Sequence, residues 1–410
     1  MSKITKGVAA LGLGVSLLLT GCGSNKDIDG AVTLEFFSNK SESIGIYKEL
    51  IKEFESQNPD IKVELEAPPE AETVLKTKLV RGKIPDVMSL GGNATYGELA
   101  EAGIFHDFTN AEVLEDVQTS YLETLNLLVG SDVEGVYGVP YATNANTVIF
   151  NKQKVDELGI EIPETWDEFI EALEIAQEAG EIPINFTLQE AWTAMPLWNG
   201  LAGNLVATDF SEQKDAGQAS FVEDYDEVAD KALELLKYGR PDNFGIDYND
   251  GNTAFAKGEG VFYLQGNWAI PDILTVNPDL EVGTFVLPAS NIAEENDLVS
   301  GVDVVLTVDE ESDHKEEALK FIEFLADHEI AQRYIEDQKA FSAFQGVLQE
   351  DPAFEWINKN FEEERLTSFP DHFYPAGMGE ENLIQEFLIR QDKEQALKKL
   401  DAEWDKIINR

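Results

Sequence analysis

Four histidines, one cysteine and 79 carboxylates are the groups of this 410-residue chain best suited to chemistry. His106, His314, His328 and His372 contain no pair at i and i+4, the helical spacing that lets two imidazoles hold one zinc ion. No catalytic metal is expected. Asp247-Tyr248-Asn249-Asp250-Gly251 begins like a calcium loop, but an EF-hand places glycine sixth and its bidentate glutamate twelfth, whereas Gly251 falls fifth and Glu259 thirteenth. Ser312 and Lys315 have the Ser-x-x-Lys spacing of acyl-transferring hydrolases without the companion motifs, so Ser312 or Asp313 reads as the cap of a helix over Lys315–Leu325. No GxSxG, Walker loop or dinucleotide fingerprint is present, and no cofactor is expected. Among so many acids a glycosidase pair can always be nominated. Such a pair works only across a cleft, at roughly 5–9.5 Å and with divided pKa values, so a glycoside hydrolase stays the competing function.

The charge narrows the partners. With 30 basic against 79 acidic residues the formal net charge is −49, which repels phosphate backbones and excludes nucleic acid. Disorder is excluded by 43% hydrophobic residues, including 23 Phe, 11 Tyr and 6 Trp, enough to build large cores. One core rarely grows past about 250–300 residues, so two domains are expected. The single cysteine rules out an internal disulfide framework.

That cysteine has a specific setting. Lys3 and Lys6 precede an apolar run from Gly7 to Leu19, which is short for a membrane span and fits a secretory signal over residues 1–21. Leu19-Thr20-Gly21-Cys22 resembles the bacterial lipobox, which implies lipidation of Cys22 after cleavage. Two acyl chains give stable anchoring, placing the chain on the outer face of the cytoplasmic membrane, as in a Gram-positive bacterium. Removing Lys3 and Lys6 deepens the charge to −51, and residues 22–30 read as a polar tether.

From Ala31 onward, strand-like runs alternate with amphipathic segments: Val32–Phe37, Ile61–Leu65 and Asp86–Leu90, with helices around Ile46–Phe54, Thr73–Val80 and Tyr96–Ala102. This predicts an α/β fold with a parallel sheet covered on both faces. Ligands in such sheets sit beyond the carboxyl ends of the strands, here at Ser38–Lys40 and Gly91–Asn93. Thr165 and Glu168 form a capping box for a helix from Trp166 to Ala179. Further helices are expected over Met195–Leu201, Glu227–Lys237, Asn252–Lys257 and, unbroken to the end of the chain, Glu380–Ile408.

Several strings then carry a likeness. Val139-Pro140-Tyr141, Val148-Ile149-Phe150-Asn151-Lys152 and Pro163-Glu164-Thr165-Trp166-Asp167-Glu168-Phe169 resemble the crossover region of family 1 extracellular solute-binding proteins, the carbohydrate receptors of ABC importers. Phe186-Thr187-Leu188-Gln189-Glu190-Ala191-Trp192, with Pro196-Leu197, and Phe255–Gly260 continuing to Gln265-Gly266-Asn267-Trp268-Ala269 are similar to the aromatic segments of maltodextrin-binding proteins. The resemblance covers residues 31–410 and implies a periplasmic-binding-protein-like fold of two Rossmann-like lobes joined by several crossovers. Lobe one would hold 31–141 and 300–328, lobe two 142–299 and 329–410, with crossovers near 141–144, 288–301 and 328–334.

A sugar presents apolar faces and a rim of hydroxyls, so its receptor needs aromatic platforms beside amides and carboxylates. By position in the matching strings, Trp192 and Trp268 are the expected platforms, Trp198 and Tyr141 secondary ones; core packing is the competing role for each. Asn39, Asn93 and Asn144 are expected to meet hydroxyls, with turn formation competing at Asn39 and Asn93. Asp303 and the Asp371-His372-Phe373-Tyr374 loop complete the set, although His372 could simply be a satisfied loop histidine. That loop resembles those of receptors for raffinose-type α-galactosides and isomalto-oligosaccharides, whereas maltodextrin receptors carry more charge at the amide positions. The resemblance implies a monomer that captures an oligosaccharide by hinge closure and presents it to an ABC permease. A disaccharide, polyol or aldouronate stays open as the ligand, and so does an extracellular glycosidase as the function.

Overall fold

The computed structural model describes residues 31–409 apart from 42, 69, 70, 131, 132 and 376. The signal, tether and Cys22 expectations lie outside the described residues. Among the described residues no helix is long and apolar enough to cross a membrane.

Among the described residues ten strands carry the architecture: β1 Val32–Ser38, β2 Ile61–Glu66, β3 Val87–Leu90, β4 Val139–Asn151, β5 Ile184–Asn185, β6 Phe262–Gly266, β7 Val282–Phe285, β8 Leu298–Val308, β9 Phe341–Ser342 and β10 Leu366–Thr367. Their main path runs β2-β1-β3-β8-β4-β6-β5. The expected parallel sheet is only partly realised: β2, β1 and β3 are parallel, as are β5 and β6, but β8 and β4 are antiparallel to their neighbours on that path. Helical crossovers link β1, β2 and β3, which favours parallel pairing; β8 returns from the other lobe and arrives in the opposite direction.

Two adjacent side chains show why the first sheet is hydrophobic on both faces. Phe36 packs with Tyr47, Phe54 and Phe321, while Phe37 packs with Leu90, Tyr96 and Leu125 on the opposite side. The helices Ile44–Gln57 and Lys315–Leu325 cover one face; Ala94–Glu101 and Thr119–Val129 cover the other. Each large apolar residue buried this way contributes roughly 1.5–3 kcal/mol of transfer free energy.

The second lobe grows from the far half of β4. Val139–Ala145 pairs with β8, and Asn146–Phe150 pairs with β6, so one thirteen-residue strand serves both lobes. The helix Trp166–Glu178 lays Phe169, Ala172, Leu173 and Ala176 into this core, with Phe169 5.6 Å from Phe262 and 5.8 Å from Phe285, ring to ring. Its capping box forms in full: the Thr165 hydroxyl accepts from Glu168 N, and the Glu168 carboxylate accepts from Thr165 N at 3.1 Å.

The lobe boundary near 328 shifts. Ile330, Ala331, Tyr334 and Ile335 of the helix His328–Gln338, together with Phe344, belong to the same core as Leu34 and Phe54, so this helix packs with the first lobe. The chain recrosses at β9, which pairs with Ala142 and Thr143 of β4. The last segment is also not one helix. It divides into Glu380–Arg390 and Lys393–Ile408, because Gln391 adopts a left-handed φ of 55° and Asp392 caps the next helix by accepting from Gln395 N.

Candidate functional site

On the first-lobe side, the turn after β1 and the strand β8 bring a cation to a carboxylate. Lys40 Nζ donates to Asp303 Oδ1 at 2.6 Å, and Asn144 Nδ2 donates to the same oxygen at 3.1 Å. Side-chain exposure of 21% and 24% leaves the Lys40–Asp303 pair within reach of a solute. The turn beneath is held from below: Ser43 Oγ lies 3.0 Å from Tyr334 Oη and donates to Gln338 Oε1 at 2.8 Å.

Asn39 and Asn93 serve the turns themselves. With its carboxamide in the satisfied orientation, Asn39 Nδ2 donates to Ser89 O and its Oδ1 accepts from Gly91 N, each at 3.0 Å. Asn93 caps the helix Ala94–Glu101, its Oδ1 accepting from Tyr96 N at 3.3 Å. Both remain half-buried at the carboxyl ends of β1 and β3.

Across the hinge strands lies an aromatic wall. Asn267 ties it to β4, its Oδ1 accepting from Ala145 N at 2.8 Å. The next residue, Trp268, lays its ring over Gly266, where any Cβ would collide with it; glycine is required for the indole to lie against β6. Trp268 Nε1 donates to Gln265 Oε1 at 3.2 Å, and Gln265 Nε2 to Thr187 Oγ1 at 3.2 Å, which fixes the ring. Tyr248 Oη donates to Trp268 O at 3.5 Å, and the Tyr248 ring lies 5.0 Å from that of Trp192, tilted 57°. Trp192 is 40% exposed, which leaves part of the indole open to a solute. Glu190 accepts from Tyr248 N at 3.0 Å, and Asn252 Nδ2 donates to Asp272 Oδ2 at 3.5 Å, so two carboxylates flank the rings. Burial pushes the Tyr248 phenol far up, and Asp272 and Glu190 add to the shift, keeping it a neutral donor. Asp247 caps the helix Tyr248–Ala256, accepting from Asp250 N at 2.7 Å, which accounts for the string that begins like a calcium loop.

The turn Pro370–Phe373 closes the cleft from a third direction. His372 stacks on Phe369, ring centroids 5.0 Å apart and 20° from parallel. Both rings sit above Gly301, whose missing side chain makes room for them. Asn199 Nδ2 donates to Asp371 Oδ1 at 2.9 Å. Burial raises the Asp371 carboxyl, while His372 and Asn199 pull it back. Glu380 nearby is pushed up to about 7, chiefly by burial, with Asp371 and Glu381 adding repulsion.

Of the residues singled out from sequence, Asn144, Asp303, Trp268 and Trp192 fall along one connected path, from the Lys40 pair through the hinge to the aromatic wall. Asp371 and His372 adjoin it through Asn199 and Gly301. Tyr141 and Trp198 do not join them; each is 1% exposed. Tyr141 packs on Tyr334, 4.9 Å between centroids, because Val139 and Tyr141, two residues apart on β4, both face the first core. Trp198 stacks on Tyr225 at 5.4 Å and donates to Tyr374 Oη at 3.3 Å inside the second core. Lys40, Tyr248, Glu190 and Glu380 were not singled out. Lys40 lies in the expected ligand-side turn, and Tyr248 opens a helix capped by Asp247, so both had a positional signal. A partly open pocket of about 200 Å³, lined by Tyr121, Thr124, Phe210, Ser300, Pro370 and Phe373 among others, adjoins the Pro370–Phe373 turn, and none of these candidates lines it.

The family model for bacterial extracellular solute-binding proteins matches residues 39–332. The multiple sugar-binding protein of Streptococcus mutans is 29% identical over 351 residues, covering 82% of this chain and 81% of that protein. The melibiose/raffinose/stachyose-binding protein MelE of Bacillus subtilis is 23% identical over 330 residues, covering 76% and 75%. Among solved structures, apo RafE from Streptococcus pneumoniae superposes with a TM-score of 0.80 at 26% identity, covering 93% of this chain and 99% of that one. RafE in complex with raffinose gives 0.77 at 26% identity, covering 92% and 100%.

Proposed function

This chain belongs to the bacterial extracellular solute-binding proteins, and from that premise we propose that it is the oligosaccharide receptor of a carbohydrate ABC importer. The observation that carries the reading is the aromatic wall of Trp192, Tyr248 and Trp268, flanked by Glu190 and Asp272 and joined through the hinge to the polar cluster of Asn144, Asp303 and Lys40. Flat rings take the apolar face of a pyranose, and planar amides and carboxylates accept from neighbouring hydroxyls. Asp371 and His372 form the third wall, and Asn39 and Asn93 shape the rim. Melibiose, raffinose and stachyose, named for the Bacillus relative, and raffinose, held by the structural neighbour, point to α-galactosides as the first ligands to try.

The walls lie on both lobes, so a ligand that touches both favours the closed state by its differential affinity, and the permease subunits would recognise that closed surface. Lipidation at Cys22 would hold the receptor beside the permease on the outer face of the membrane, as a monomer. Equilibrium dialysis against labelled raffinose, followed by chromatography of the sugar, tests the reading. Retention of one intact sugar per chain is expected; accumulation of shorter products would make the protein a glycosidase instead.

A further inference from the structure

Three asparagine side chains at the inner end of the cleft each commit an amide donor to a protein acceptor and leave the carbonyl oxygen unpaired. Asn144 Nδ2 donates to Asp303, Asn146 Nδ2 to Pro196 O at 2.7 Å, and Asn199 Nδ2 to Asp371, while the Oδ1 of all three is shielded from solvent without a hydrogen-bond partner. Asn146 is 5% and Asn199 2% exposed. An unpaired buried carbonyl is unfavourable, and three in one place call for a missing donor.

They are in one place because the topology puts them there. Asn144 and Asn146 stand two residues apart on β4 and share a face. The helix Met195–Leu205 passes this strand at Gly200, where a Cβ would sit 3.7 Å from Asn146 Nδ2, and Asn199 is the preceding residue. Asn199 holds Asp371, and His372 rests above Gly301, the residue that pairs with Asn144 between β4 and β8.

We propose that the unpaired carbonyl oxygens of Asn146 and Asn199, with that of Asn144 and beside Asp371, form an acceptor floor that reads the hydroxyl donors of the innermost sugar residue. Neither Asn146 nor Asn199 is among the residues that the sequence motifs single out. The inference rests on the receptor reading above and narrows it to ligands whose inner ring keeps its full set of free hydroxyls, in contrast to deoxygenated or capped rings. The Pro370–Phe373 turn supplies Asp371 and borders the floor at Gly301, so access of the sugar to the three oxygens requires that turn to move. Specificity of this kind is steep, because a site built to accept a hydroxyl proton leaves its buried oxygen unpaired when the hydroxyl is missing.

The test is titration calorimetry with raffinose and with raffinoses each lacking one hydroxyl, on the wild type and on Asn146→Leu and Asn199→Leu. At least one deoxygenation is expected to weaken wild-type binding tenfold or more, and that penalty should fall below threefold in one of the two variants. Melting of each apo variant is recorded first, and half-buried Asn144→Ala carries the same comparison if neither leucine variant folds. Deoxygenation losses of equal size in wild type and variants, or no tenfold loss at any hydroxyl, would overturn the floor. Failure of the wild type to bind raffinose, stachyose or any other sugar would instead remove the receptor reading, a separate and recognisable result.

Discussion

Replacing Trp268 with alanine removes a platform while leaving its mount intact. The indole lies on the glycine of β6 and is fixed through Gln265, so most of its ring is already in contact with protein and only the outer face is left for a solute. Covering one aromatic face and matching it to a pyranose contributes roughly 1.5–3 kcal/mol, comparable to burying a large apolar side chain. At about 1.4 kcal/mol per decade this weakens binding roughly tenfold to 150-fold. The apo protein loses less, about 1 kcal/mol, because the ring is half-buried at the margin of a core cluster. Titration calorimetry with raffinose and thermal melting of the free protein, run in parallel, separate the two effects. Unchanged affinity would remove Trp268 from the site. Loss of affinity accompanied by collapse of the apo transition would make the ring a structural element and refute the platform argument.

Other changes have equally definite outcomes. Asp303→Asn removes a part-exposed ion pair, so melting should shift by less than about 1 kcal/mol, whereas sugar affinity is expected to fall tenfold; an undiminished affinity in calorimetry would exclude Asp303. Glu380 is the pH-sensitive group. Its folded pKa of about 7 exceeds the ordinary 4.5 of a free glutamate, so the native state holds a proton that the unfolded chain releases between those values. The stability it contributes is fully present below about pH 4.5 and lost as pH rises through about 7, about 2 kcal/mol after discounting for partial exposure. Glu380→Gln should therefore raise the melting temperature at pH 8 and leave it unchanged near pH 4.5; equal shifts at both would disprove the assignment. Thr165→Ala breaks the capping box and is expected to cost about 1 kcal/mol in urea unfolding without touching sugar affinity.

Much of the frame was legible in the sequence because it depends on local rules. Alternation and 3.6-residue spacing located β1 to β3 and their helices, and Thr165 and Glu168 announced their own capping box. Errors arose where tertiary packing decides. Tyr141 and Trp198 have the residue types of platforms, but strand parity and a stacked neighbour turn both into cores. The helix His328–Gln338 belongs to the first lobe because Ile330 and Tyr334 meet β1-side residues hundreds of positions away, which no local pattern reveals. Tyr248 sits inside a string that looks like a metal loop, which masks its role, and the unpaired acceptors of Asn146 and Asn199 become visible only in the hydrogen-bond pattern of the folded chain.

The central claim is that this cleft holds a neutral oligosaccharide. Thermal melting of the purified chain against a sugar panel that includes raffinose, stachyose, an isomalto-oligosaccharide, a malto-oligosaccharide and an aldouronate tests it most directly. A true ligand at one hundred times its dissociation constant adds about 2.7 kcal/mol, a shift of several degrees, and the same sugar should then titrate at one site per chain. A clear shift with an α-galactoside or related neutral oligosaccharide is the predicted result. A flat response to every sugar, or a shift with the aldouronate alone, would contradict the account.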